Sequence, residues 1–359
     1  MTQNTSRDPY LDNAKAILII LVVVGHVIER IDRGSADGVY TWIYLFHMPA
    51  FVFVSGYFSR SFVGNPKQMA SLISVLIAPY ALFQIIFALE NWLILGNSFE
   101  LRLFVPGFAL WYLLALLVWR LAIPLLRAVR HPVLISFAVS ILSVLAGGVS
   151  QDLSAARILS FLPFFTLGLF TTPDHIDKFK RLTAPLWVRV GTGTLFAAAV
   201  VATYLAHDVL PRRWIYMYGQ MDTFGLTEVE HVVVRVGVLV TASVMSLVFF
   251  SLVPRFSSPL TALGQRTLQI YLLHTIVLYP LRPLIGDWSG WTIGTVALAG
   301  VFGVALAVVL GTPAVARATR WLTDPLAFVA LVRGTRESPA RLKIRCRADD
   351  QTNHHEKKL

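Results

Sequence analysis

The chain has 359 residues, 56% of them hydrophobic and only 14% charged, with a mean hydropathy of +0.65. That composition excludes an ordinary soluble domain and predicts an all-α, polytopic membrane protein. The net charge of +11 raises nucleic acid as a partner, but no basic stripe with interleaved aromatics sits on a folded domain, so none is expected.

Apolar runs long enough to cross a bilayer recur along the chain with short loops between them. Ten spans are predicted, at 14–31, 40–58, 70–93, 104–123, 133–149, 158–172, 186–206, 232–253, 268–285 and 292–312. The first follows a mixed-charge head without a small-residue cleavage site, and reads as a retained span instead of a removed signal peptide. Spans five and six are short and carry Gly147, Gly148 and Pro163, which predicts a tilt or a break. Residues 1–332 then form one integral membrane domain, and 333–359 a basic, disordered cytoplasmic tail.

With the N-terminus placed in the cytoplasm, 23 of the 31 Lys and Arg residues fall on the cytoplasmic side and 8 outside. This positive-inside bias predicts a multi-pass protein of the cell membrane with both termini cytoplasmic. It assigns the basic charge to orientation and to contact with anionic membrane lipids. The single cysteine, Cys346, lies in the tail, so a disulfide framework, a thiol nucleophile or a cysteine metal site within the fold is excluded.

Span one carries Asp12 and Lys15 at its entrance and His26 deep inside, with Glu29 and Arg30 one turn further on. Lys15 and His26 are eleven residues apart, so on a helix they share a face about 16 Å apart along the axis, across Leu18, Ile19 and Val22. An intramembrane histidine is expensive and points to function; a satisfied core histidine is the alternative. Glu29, at i+3, can orient the ring.

Span two places His47, in Phe46-His47-Met48-Pro49, near the depth of His26 on a neighbouring helix. Pro49 predicts a kink and Ser55-Gly56 close helix packing. Two histidines lack a third ligand and metal-type spacing, so no metal is expected. Glu90 ends span three, where it pairs with Arg102 or a histidine, or faces water. Trp111-Tyr112 opens span four as an interfacial anchor or as part of a site. His231 and Arg235 in span eight are similarly open. Span nine carries Tyr271 and, on the same face, His274.

A cation at the cytoplasmic threshold, an apolar lane and a deep base suit a ligand with an anionic head and a long thin arm. Acyl coenzyme A has that shape. A deep neutral imidazole would then act as general base on an acceptor hydroxyl, or carry the acyl group covalently.

On these residues the chain resembles the acyltransferase 3 family of integral membrane acyltransferases, and within it the branch grouped with fucose 4-O-acetylase. The resemblance rests on Leu11-Asp12 and Lys15 with ten residues before His26, on Phe46-His47-Met48-Pro49 leading to Ser55-Gly56-Tyr57, on Trp111-Tyr112-Leu113, and on Leu263-Gly264 running to Tyr271-Leu272-Leu273-His274. It implies ten spans and an O-acyl transfer, usually acetyl, from cytoplasmic acyl coenzyme A as donor substrate to a hydroxyl of a sugar on a surface or secreted glycan. No bound cofactor is implied. His26 is carried over as the catalytic histidine and Lys15 as its basic partner. His47 joins them as a catalytic candidate, with Asp12, Glu29, Trp111, Tyr112, Tyr271 and His274 as donor- or substrate-binding candidates. The family often places an arginine cluster between spans two and three before a proline; here Pro79 is preceded by only Lys67, so the donor-phosphate contacts are not carried over there. No hydrolase-like domain follows, which leaves acceptor delivery to the membrane domain or a partner.

Two other classes fit some of these features. A proton-coupled transporter would use the intramembrane His and Glu as a relay. It commonly shows internal repeats, and the Gly-His and His-Met-Pro motifs recur nowhere in the second half. A membrane scaffold would use the same polar residues for packing alone.

Overall fold

The computed structural model describes residues 8–31, 34–145, 154–207, 212–217, 225–287, 290 and 292–326. Every regular element among them is helical. The order is α1 (Pro9–Ile28), α2 (Gly34–Phe58), α3 (Pro66–Leu72), a π-helical turn (Ile73–Ile77), α4 (Ala78–Leu93), α5 (Trp111–Leu121), α6 (Ile123–Ala128), α7 (Pro132–Leu142), α8 (Ala155–Phe170) and α9 (Pro173–Leu182). Then come α10 (Leu186–Leu205), α11 (Arg212–Ile215), α12 (Glu228–Leu252), α13 (Pro259–Gly264), α14 (Thr267–Leu278), α15 (Arg282–Asp287), α16 (Ile293–Leu310), α17 (Pro313–Ala318) and α18 (Arg320–Thr323).

Each of the ten predicted segments falls on a helix, but ten crossings are not established. Six helices are long and apolar enough to cross a membrane: α1, α2 from Ala36, the continuous run Pro66–Leu93, α10, α12 and α16. The pair α8–α9 makes a seventh apolar run, bent by 95°. The remaining three, α5, α7 and α14, have 11, 11 and 12 residues, short of the roughly 20 that span a bilayer core. Gly147, Gly148 and the predicted tail 333–359 with Cys346 lie outside the described residues.

The break expected at Pro163 is displaced. Pro163 sits inside an unbroken α8, and the chain turns after Phe170. Thr171 and Thr172 are extended there because Thr172 precedes Pro173, where a helical conformation clashes with the ring. Thr172 then caps α9 by accepting from the His175 N–H.

α1 is the centre of the bundle. Asp8 caps it, accepting from the Tyr10 N–H at 3.0 Å, and Pro9 fits its first turn. Most of its residues are buried, against α2, α13, α14 and α16, whereas α10 faces almost wholly outward. α2 packs most closely on α8. A Cβ on Gly56 would fall on the Phe165 carbonyl oxygen, and one on Gly168 on that of Phe53. This reciprocal pair of glycines lets the two backbones touch, as the Ser55-Gly56 pair predicts.

Candidate active site

α1 runs unbroken from Lys15 to His26, so the two side chains keep their three-turn register, about 16 Å. Of the three apolar residues between them only Val22 borders open space; Leu18 and Ile19 are wholly packed. The face of α1 between Lys15 and His26 is therefore filled, and each of the two side chains borders its own cavity, the two walled chiefly by α2, α5 and α14.

The first cavity, about 210 Å³, holds Lys15 together with Phe51, Val54, Ser55, Phe58, Leu116, Arg120 and Leu268. Lys15 lies 2.8 Å from Asp12, one turn earlier, and 4.7 Å above the Phe58 ring. Asp12 is itself buried, so its charge is compensated by Lys15 and it does not border the cavity. The second cavity, about 250 Å³, holds His26, Glu29, His47, Trp111, Arg157 and Arg282 with a rim of aromatic rings. Tyr112 and Tyr271 border both.

In the second cavity the His26 Nδ1 lies 3.2 Å from the Glu29 carboxylate. A carboxylate accepts, so Nδ1 carries the proton and Nε2 keeps the lone pair. The same logic applies to His47, whose Nδ1 donates to the Ile43 carbonyl at 2.8 Å, and to His274, whose Nδ1 donates to that of Ile270 at 3.1 Å. His274 stacks on the His26 ring at 5.4 Å and is fully buried behind it, outside the cavity. Among the described residues no group of three His, Cys, Asp or Glu side chains is placed to hold a metal ion.

The structure therefore gathers most of the sequence candidates. His26, Glu29, His47, Trp111, Tyr112 and Tyr271 border one cavity, Lys15 borders the next, and Asp12 and His274 stand directly behind members of the set. Trp111 and Tyr112 are buried rather than lipid-anchoring, because α5 starts inside the bundle. Glu90 does not pair with Arg102, whose guanidinium binds Glu100; Glu90 and the neighbours His231 and Arg235 are buried away from the cavities.

Four contributors escape the sequence reading. Arg157, counted there only as an outer charge, lies 5.0 Å from the Trp111 ring. Arg282 lies 4.6 Å from the Phe108 ring, which in turn sits 4.7 Å from His26. Phe108 has φ 43°, a left-handed conformation that costs a β-carbon residue roughly 1–3 kcal/mol and persists only where the surroundings impose it. Gln84 on α4 ties down the loop that leads to Phe108. Its side-chain amide donates to the carbonyls of Arg102 (2.7 Å) and Val105 (3.0 Å), and its oxygen accepts from the Gly107 N–H (2.9 Å).

Another cavity, about 340 Å³, lies elsewhere, between α2, α8, α9 and α12. Its lining is chiefly apolar and includes none of the sequence candidates.

Residues 8–312 match the acyltransferase domain of the acyltransferase 3 family. The chain is 26% identical to the nodulation protein NolL of Mesorhizobium japonicum over 94% of its own length and 93% of that protein's. A second NolL, from Sinorhizobium fredii, is 42% identical over a 57-residue stretch, 14% of this chain and 16% of that one. No solved structure matches the chain. The resemblance read from the Lys15–His26 spacing and the later motifs is thus borne out: this multi-pass membrane protein is an acyltransferase and belongs to the acyltransferase 3 family.

Proposed function

We propose that the protein moves an acyl group, most simply acetyl, from cytoplasmic acyl coenzyme A to a hydroxyl of a sugar or cell-surface glycan. The observation that carries this reading is a series of cavities ending at the His26–Glu29 pair. A third cavity of about 160 Å³ is lined by Ser59, Ser61, Gln68, Ser71 and Arg120 and shares Phe58 and Arg120 with the Lys15 cavity. Its hydroxyls and cation suit a phosphate-bearing head. In this chain Arg120, from α5, takes the place of the arginines missing before Pro79. The apolar Lys15 cavity suits the thin arm, and the thioester reaches the His26 cavity.

There His26 Nε2 removes the proton of the acceptor hydroxyl, whose oxygen attacks the thioester carbonyl. The carbon–sulfur bond breaks, the thiolate leaves, and the imidazolium returns its proton to it. Glu29 holds the ring and stabilises the transient cation. The positive-inside charge distribution supports a Lys15 end on the cytoplasmic side and a His26 nearer the outer face.

The purified protein, given labelled acetyl coenzyme A and a panel of glycans, should label an acceptor. His26→Ala should lower the rate by about 10²–10⁴, the range of a general base. Full activity in that variant rejects the mechanism.

A further inference from the structure

Resting on this reading of the donor route, we propose that Tyr112 and Tyr271 form a gate between the donor cavity and the His26 cavity. The gate admits the thioester arm and keeps water in the His26 cavity away from it.

Among the described residues these two tyrosines alone border both cavities. Their rings meet edge to face, 5.5 Å between centroids, and both are buried. The partition is thus made of side chains, which can rotate, and not of backbone, which cannot. Each ring is held shut by its hydroxyl. Ser55 donates its one proton to the Phe51 carbonyl at 2.8 Å, so the bond between Ser55 and Tyr112 has the tyrosine as donor. Tyr271 donates to the Ala109 carbonyl. These neutral hydrogen bonds are a latch that an incoming arm can replace, whereas an immovable wall would forbid transfer altogether.

Ala109 is followed within two residues by Trp111, so the Tyr271 latch closes on the same segment that carries Phe108 against His26. An arm that displaces Tyr271 thereby disturbs the ring packed on the base. The two sides of the gate differ in what they hold. The Lys15 side is chiefly apolar, and the His26 side carries an oriented base with two arginines and a carboxylate around it. A thioester open to both base and water hydrolyses: water adds to the carbonyl, the carbon–sulfur bond breaks, and carboxylate, thiol and a proton leave. Exclusion of water from the reacting pair prevents that loss.

Two readouts test the gate. In the first, hydrolysis of acetyl coenzyme A without acceptor is compared with transfer. Tyr271→Ala is expected to raise the hydrolysis-to-transfer ratio at least ~10-fold, and Tyr271→Phe, which keeps the ring but loses the latch, to raise it by less. Tyr271→Val replaces the alanine variant if size-exclusion profiles show that one misfolded. A loss of transfer with an unchanged ratio means that Tyr271 is structural or catalytic and overturns the gate. In the second, Met48→Cys, which borders the His26 cavity, is placed in a Cys346→Ser background and labelled with a membrane-impermeant thiol reagent from the Lys15 side of sealed vesicles. Labelling should accelerate at least ~10-fold with Tyr271→Ala, and an unchanged rate overturns the gate. Because labelling needs no donor, faster labelling in a protein that never consumes acetyl coenzyme A rejects the donor assignment and leaves the gate standing.

Discussion

Glu29 decides which nitrogen of His26 is available. With the carboxylate on Nδ1 the ring presents Nε2, and the imidazolium formed during transfer is stabilised by a negative charge 3.2 Å away. Glu29→Gln keeps an acceptor oxygen but removes the charge. Turnover should fall ~10- to 100-fold with little change in donor KM, because the lost interaction strengthens only as the proton arrives. Steady-state kinetics in the purified enzyme check this, and an equal rise in KM would place Glu29 in binding instead. Sequence spacing was enough to find this pair, since i and i+3 on a helix are neighbours whatever the fold. The same spacing joins Asp12 to Lys15, a pair that the sequence analysis did not draw.

At the scale of elements, two contacts hold the site in shape. The first is the α2–α8 crossing at Gly56 and Gly168, where the backbones touch. Gly168→Leu inserts a side chain into carbonyl oxygen and should destabilise the bundle by at least ~1–3 kcal/mol, as overpacking does; the melting temperature in detergent and the yield of monodisperse protein should both drop. The second is the Gln84 strap. Gln84→Leu removes all its bonds to the 102–107 loop, and the stranded backbone groups should cost about 1–3 kcal/mol. Hydrogen exchange of residues 102–107 should speed up, and transfer should slow, because Phe108 is no longer pressed against His26. Neither contact between distant segments was fully legible in the sequence. Ser55-Gly56 announced close packing but not its partner, and Gln84 announced nothing, because the three bonds it makes to the 102–107 loop reach 18 to 23 residues along the chain. Leu18 and Ile19 show the converse: their shared face with Lys15 and His26 predicted a lane, but α1 lies at the bundle's centre and neighbouring helices fill that face. The lane had to open instead where α2, α5 and α14 meet.

At the scale of the molecule, three cavities share lining residues pairwise, one lined by hydroxyls and Arg120, the next by Lys15, the last by the oriented His26. The order of motifs along the chain made that legible in outline. The number of crossings was less so: hydropathy marks apolar stretches, but α5, α7 and α14 are too short for their role to be read from length alone. Sidedness is checked with Cys346, the single native thiol. Impermeant maleimide should label it in inside-out vesicles and not in intact cells, while Ser98→Cys, in a Cys346→Ser background, should show the opposite pattern.

The central claim is directional: the donor enters at Lys15 and its acyl group is delivered at His26. Proteoliposomes in which only outward-facing Cys346 is accessible, with acceptor glycan sealed inside and labelled acetyl coenzyme A added outside, test it most directly. The account predicts label on the enclosed glycan with the wild-type protein and a loss of about 10²-fold or more with His26→Ala. Label appearing at the wild-type rate with His26→Ala, or only when donor and acceptor share one side, would contradict it.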